Sequence, residues 1–280
     1  MLQPVGPVLV NDLFPEERQA LLDMLRSLPA SRWQAPTVCP GWSVKDIAQH
    51  LLGDDIGTLS RERDNYALPS SKRLDNADWS HLVLYLNGLN EEWVSATRRI
   101  SPSLLCELLE LMGRLLHQHF SSLDLMAMGG SVSWAGPGPA PIWLDVAREY
   151  TERWVHQQQI RDALRKPGLR EARYLEPLLD TLLRALPYTF QDVRAKAGAA
   201  LHVQISGDRN FHYSLVRGDS TWTLYKGQPG SPAATVTMHY RTAWRLLTKG
   251  IGKEEAAEKT HVRGDKALGL KVLDAVAIIG

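Results

Sequence analysis

The chain has 280 residues, 44% hydrophobic and 22% charged, with 32 Lys and Arg against 31 Asp and Glu for a net charge of +1. That length supports one or two packed domains, and without a dense Lys/Arg block the charge does not point to nucleic acid. Two cysteines, Cys39 and Cys106, exclude a disulfide framework, and no apolar run is long enough to span a membrane.

The opening Met-Leu-Gln-Pro-Val-Gly-Pro lacks a signal-peptide pattern, so the expectation is a soluble, cytoplasmic protein, monomer or homodimer. Charge is unevenly placed. Residues 1–164 carry 14 basic and 20 acidic side chains, a net of −6, whereas residues 165–280 carry 18 and 11, a net of +7. Such asymmetry argues for two parts, 1–165 and 166–280.

The first part reads as helices. Asn11-Asp12 ahead of Pro15-Glu16-Glu17 is a helix start, and Pro29 stops that helix after Leu28. Ser43-Val44-Lys45-Asp46 has capping-box form, with Asp in place of the usual Glu or Gln. The helix it opens carries Val44, Ile47, Ala48, Leu51 and Leu52 at apolar spacing and runs to about Asn65, with Gly53 and Gly57 as weak points. A polar loop through Pro69-Ser70-Ser71 leads to a helix from Asp78 to Ile100, and Ser101-Pro102 separates it from the next, Ser103 to Met128. Residues 129–141 form a Gly/Pro/Ala/Ser-rich loop around Trp134, of a length that is often functional. The last helix spans Ile142 to Leu164 and ends at Lys166-Pro167-Gly168. Long antiparallel helices joined by polar loops predict a four-helix bundle.

In the second part helical sequence fills about 174–198, and then the period changes to two. Strands are predicted at 201–205, 211–216, 221–225 and 233–238, followed by a helix at 240–249, a short strand at 261–263 and a final amphipathic helix. This is a smaller α+β domain.

Glu152 and His156 lie four apart in Glu-Arg-Trp-Val-His, so a helix projects them side by side. A carboxylate and an imidazole on one face are two parts of a divalent-metal site. His50 lies on another helix, Asp-Ile-Ala-Gln-His-Leu-Leu. If the two helices pack together, three ligands converge and leave coordination positions open, the mark of a catalytic metal. By spacing alone, Asp145, Glu149, Glu152 and His156 equally describe a solvated acidic face, and His50 a hydrogen-bonded core residue. Asp54 and Asp55 are candidates to orient His50 or are surface charges. His202, His212, His239 and His261 scatter without ligand spacing.

The stretch from Ala35 to Leu51, with Cys39-Pro40-Gly41-Trp42-Ser43 and the helix ending in His50-Leu51, resembles the opening of the DinB-like superfamily, in its mycothiol-dependent maleylpyruvate isomerase branch. A second motif, Arg148-Glu149-Tyr150-Thr151-Glu152-Arg153-Trp154-Val155-His156, is similar to the same family. The resemblance covers about residues 10–165 and implies a four-helix bundle in which His50, Glu152 and His156 bind a divalent metal, usually zinc. Thr221-Trp222-Thr223-Leu224 and the ending His261 to Leu268 are similar to that family's second domain, a sterol-carrier-like module. The resemblance implies a low-molecular-weight thiol such as mycothiol as cosubstrate, used to transfer to or isomerise a small electrophile. Nickel and iron accept the same donors as zinc. Two other readings stand beside it: a metal-dependent hydrolase on the same site, and a non-enzymatic small-ligand binding protein.

Overall fold

The structure is a computed structural model that describes residues 1–66 and 79–277, without the side chains of 79–83. The loop expected around Pro69-Ser70-Ser71, the helix start at Asp78 and the side chain of His81 lie outside the described residues. Contacts divide the chain into two units. One comprises Val10–Leu123 and Glu152–Leu169, the other Met1–Leu9, Asp124–Thr151 and Arg170–Gly280.

The first unit is the helical bundle. Its helices are α1 (Leu13–Arg26), α2 (Val44–Thr58), α3 (Trp79–Thr97), α4 (Pro102–Ser121) and the C-terminal half of α5 (Ile142–Leu164). Leu21, Leu25, Ile47, Leu51, Leu109 and Ile160 lie in its core. The Cys39-Pro40-Gly41-Trp42 motif is a tight turn in which the Trp42 N–H donates to the Cys39 carbonyl over 3.0 Å. Gly41 has φ +79°, the left-handed conformation that glycine adopts without strain, and Pro precedes it as in a type II turn. The capping box forms as its residues suggest. Ser43 Oγ accepts from Asp46 N–H, and Asp46 Oδ2 accepts from Ser43 N–H over 2.9 Å. The other oxygen of Asp46, Oδ1, receives the Arg98 guanidinium at 3.0 Å. Beyond α2 the helix widens into a π turn over Leu59–Arg63. Such turns recur beside functional sites.

The second unit carries the α+β fold. A hairpin of β2 (Met128–Ser131) and β3 (Pro139–Pro141) occupies the stretch expected to be loop, and it precedes the N-terminal half of α5. Its turn holds the buried Trp134. Helices α6 (Ala172–Leu182) and α7 (Ala185–Thr189) lead to a six-stranded sheet of order β1-β6-β5-β4-β7-β8. Its strands are β4 (Ala200–Ser206), β5 (Phe211–Arg217), β6 (Trp222–Lys226), β7 (Ala234–His239) and β8 (Thr260–Gly264), with β1 (Gln3–Pro4) added at the β6 edge. Helices α8 (Tyr240–Leu247), α9 (Lys253–Glu258) and α10 (Lys266–Leu270) complete it. Leu201, Val203, Ile205, Tyr213, Leu215 and Val236 are buried on one face of the sheet. Among the described residues, no helix is long and apolar enough to cross a membrane.

The two glycines of α2 play opposite parts. A Cβ on Gly53 would lie 2.6 Å from Nε1 of Trp93, whose indole rests there and donates to the Gln49 carbonyl over 2.8 Å, whereas a Cβ on Gly57 meets nothing within 4 Å. In urea unfolding, Gly57→Ala is expected to gain about 0.5–1 kcal/mol from helix propensity. Gly53→Ala is expected to lose about 1–3 kcal/mol by overpacking. Equal gains at both positions would contradict this packing.

Candidate metal centre

His50 sits on α2, and Glu152 and His156 sit one turn apart on α5. Each residue offers a ligand atom, and the three atoms lie within 4.8 Å of one another. His156 Nε2 is 2.7 Å from Glu152 Oε1 and 3.1 Å from His50 Nε2, and His50 Nε2 is 3.7 Å from Glu152 Oε1. The two imidazole rings meet edge to face with centroids 4.5 Å apart. Both histidines are buried, and Glu152 keeps 21% of its side chain exposed, so the cluster has one open side. The Trp42 indole of the Pro-Gly turn packs on His50 with ring centroids 5.2 Å apart.

Neighbouring groups fix the orientation of these atoms. Gln159 Oε1 lies 2.7 Å from His156 Nδ1 and 3.3 Å from Cys39 Sγ. An amide oxygen only accepts, so Nδ1 carries the proton and Nε2 is left to face Glu152 and His50. Asp54, one turn on from His50, brings Oδ2 to 3.2 Å from His50 Nε2, and that buried oxygen has no hydrogen-bond partner. Four electron-rich atoms therefore aim at one small volume, an arrangement that repels itself unless a proton or a cation sits among them.

The ionisation of the cluster follows. Burial works against a charged Glu152, but the imidazole of His156 and hydrogen bonds from both histidines outweigh it, holding the carboxyl well below the usual carboxylate range. Burial likewise works against a charged His156, and the Glu152 carboxylate wins, raising its pKa. Burial pushes Asp54 up to about 6, helped by the charge of Glu152 and opposed by His50. Burial also raises the Cys39 thiol, against the hydrogen bond with Thr37, so Cys39 stays protonated and is no ready nucleophile.

The acidic stripe considered on α5 divides: Asp145 keeps 37% of its side chain exposed and pairs with Arg148, whereas Glu152 and His156 turn into the bundle unit. Residues 153–161 are buried and Glu152 is half-buried, and polar groups among them are paired inside the bundle unit. Gln157 Nε2 donates to the Glu17 carbonyl over 3.0 Å and also to its carboxylate, Arg161 donates to Gln157 Oε1 over 2.7 Å, and Gln158 Nε2 reaches the Gly168 carbonyl over 3.1 Å. Asp55 is fully buried rather than a surface charge. Its Oδ2 takes Arg18 at 2.7 Å and its Oδ1 takes Arg153 at 2.9 Å. Arg153 follows Glu152 and Asp55 follows Asp54, so this ion pair stands beside the cluster and fixes how α2 faces α5. Arg18, Arg153 and Gln159 escaped the sequence reading. Spacing carried no signal for them, because charged and amide side chains of residues 152–161 alternate with Trp154, Val155 and Ile160.

A helical bundle with a His/Glu/His cluster on two of its helices defines a class, and comparison places the chain within it. The family model described as the mycothiol maleylpyruvate isomerase N-terminal domain matches residues 14–161. The chain belongs to this family, and all three cluster residues fall inside the match. Among curated proteins it is similar to an uncharacterized protein of Mycobacterium tuberculosis, in strains CDC 1551 / Oshkosh and ATCC 25618 / H37Rv, at 27% identity over 142 residues. That alignment takes in 50% of this chain and 51% of the relative, so the chain spans about half the length of the curated relatives it matches. Among solved structures, the fold is similar to a histidine-to-alanine mutant of the mycothiol-dependent maleylpyruvate isomerase, with a TM-score of 0.52, 11% identity and 90% of each chain covered. The unmutated enzyme gives a TM-score of 0.50, 12% identity, and 85% and 87% of the two chains covered.

Neutralising Asp55 removes the carboxylate that two buried guanidinium groups share. Asp55→Asn is expected to lower the unfolding free energy by about 3–5 kcal/mol, read from urea titration. A loss under about 1 kcal/mol, the range of exposed pairs, would contradict the role given to it.

Proposed function

We propose that His50, Glu152 and His156 hold a divalent metal ion, zinc foremost, and that the protein uses a low-molecular-weight thiol of the mycothiol type to transfer to or isomerise a small electrophilic substrate. The observation that carries this reading is the convergence of three ligand atoms within 4.8 Å, on residues inside the family match. The donor set fits a metal of this class. Two imidazoles and one carboxylate are borderline donors suited to zinc, nickel or iron, and Gln159 presets the His156 tautomer in which Nε2 is free to ligate.

A divalent cation bound there supplies charge that stabilises a thiolate near neutral pH, which makes a small thiol a nucleophile. The chain's own residues do the rest. His50 and His156 bind through Nε2, and Glu152 contributes a full negative charge because its carboxyl stays ionised. Asp54 Oδ2, beside His50, is placed to hold the proton that a thiol gives up. Trp42 covers one side of His50 and keeps water from it. The nucleophilic sulfur comes from outside the chain in this reading, because the Cys39 proton is engaged with Gln159 and its thiol resists ionisation.

The test combines metal analysis with turnover of maleylpyruvate, with and without mycothiol. The wild type is expected to hold about one divalent ion per chain and to turn over only with the thiol. His50→Ala and His156→Ala are expected to lose the ion, and to lose activity by more than the roughly 10–100-fold typical of removing a group that only orients a ligand. A metal-free wild type whose His50→Ala variant behaves identically would sink the enzyme reading. Turnover that ignores the thiol would move the site to metal-dependent hydrolysis.

A further inference from the structure

The sheet has a second face, and its pattern is legible only once the strand register is known. On β4, β5, β7 and β8 the side chains alternate, with the apolar set packed on one side. On the other side the register places His212, Gln204, Thr237 and His261 in one transverse row. The adjacent row is Ser214, His202, Thr235 and Arg263. At the usual spacing of about 4.8 Å between strands, each row is roughly 14 Å wide.

This face is not the ordinary solvated side of an antiparallel sheet. His202 is 2% exposed and Ser214 0%, while His261 and Arg263 stand exposed at the β8 edge. The two rows thus have a buried floor and a basic rim. A recess of about 410 Å³ opens over His202, Gln204, Thr235, Thr237, His261 and Arg263, bounded also by Gln228. A second recess of about 410 Å³ adjoins it, shares His261 and Arg263, and adds Lys266. The His202 ring on the floor stacks nearly parallel, at 13°, on the neighbouring His212 ring, with Nε2 of the first 3.1 Å from Nδ1 of the second.

The lining decides the class of ligand. No carboxylate borders either recess, and neither Arg263 nor Lys266 makes an ion pair among the described residues. The imidazole, amide and hydroxyl groups add N–H and O–H donors beside two cations. Donors around unneutralised cations suit carboxylate or phosphate oxygens. A metal is the weaker fit, because no third His, Cys, Asp or Glu joins the histidine pair at ligand spacing among the described residues. The volume is near the lower end for ligand pockets and admits a metabolite-sized molecule.

We propose that these two adjoining recesses bind a small organic anion through a carboxylate or phosphate group, with Arg263 and Lys266 pairing its charge and His202 and Gln204 on the floor. The proposal stands apart from the metal reading, since none of its residues belongs to the His50 cluster. The probes are inorganic phosphate and succinate, with glycerol as neutral control. Each is titrated at constant pH and ionic strength into full-length protein labelled at the histidine ring nitrogens. Saturable shifts of the His202 and His212 ring signals are expected with at least one anion and not with glycerol. Response to phosphate alone assigns a phosphate ligand, and response to succinate alone a carboxylate. Arg263→Gln, a change at an exposed position, is expected to weaken binding about tenfold or more, as for loss of one charge-assisted pair. The His50→Ala variant is expected to bind as wild type. The proposal is overturned if neither anion gives saturable shifts, if glycerol matches them, or if Arg263→Gln leaves the affinity unchanged.

Discussion

The bundle unit depends on one buried carboxylate. Asp55 holds Arg18 of α1 on one oxygen and Arg153 of α5 on the other, with none of its surface exposed. Three helices are therefore tied at a single point. Removing these charges from water costs several kcal/mol per ion, so the pair adds little to stability compared with an apolar contact of equal volume. What it contributes is a fixed geometry. With Asp55 turned to Arg153, its chain neighbour Asp54 and the neighbour of Arg153, Glu152, are directed to the same recess as His50 and His156.

That geometry creates an electrostatic demand. His50 Nε2, His156 Nε2, Glu152 Oε1 and Asp54 Oδ2 are closer together than mutually repelling lone pairs would settle unaided. The protein answers part of it with a proton, depressing Glu152 and raising His156. The proposed cation answers all of it. Gln159 then has a defined job, because accepting from His156 Nδ1 removes the alternative tautomer. The polar rows of the sheet show the opposite imbalance, cations and donors without acids, and a ligand of the opposite sign is inferred there by the same reasoning.

Local signals in the sequence were reliable where the chain decides its own conformation. The Ser43/Asp46 capping box, the Pro40-Gly41 turn and the span of α5 follow from residues within a few positions of one another. The pairing of Glu152 with His156 is equally local. The approach of His50 depends on an ion pair, Asp55 with Arg153, separated by 98 residues, and spacing cannot express it. On α5 the helix is enclosed by protein only after residue 151, so the solvated-face reading fails for His156 while Asp145 keeps it in part. The short β1, β2 and β3 pair with partners a two-residue period does not reveal, and His202, His212 and His261 were dispersed until strand register aligned them.

The most direct measurement is X-ray absorption at the zinc edge, on protein loaded with one equivalent of zinc and free of added thiol. Only nitrogen and oxygen scatterers are expected, at about 2.0–2.2 Å, with the outer-shell pattern of two imidazoles. A sulfur scatterer near ~2.3 Å, which would bring Cys39 into the coordination sphere, or the spectrum of hydrated zinc alone, would contradict it.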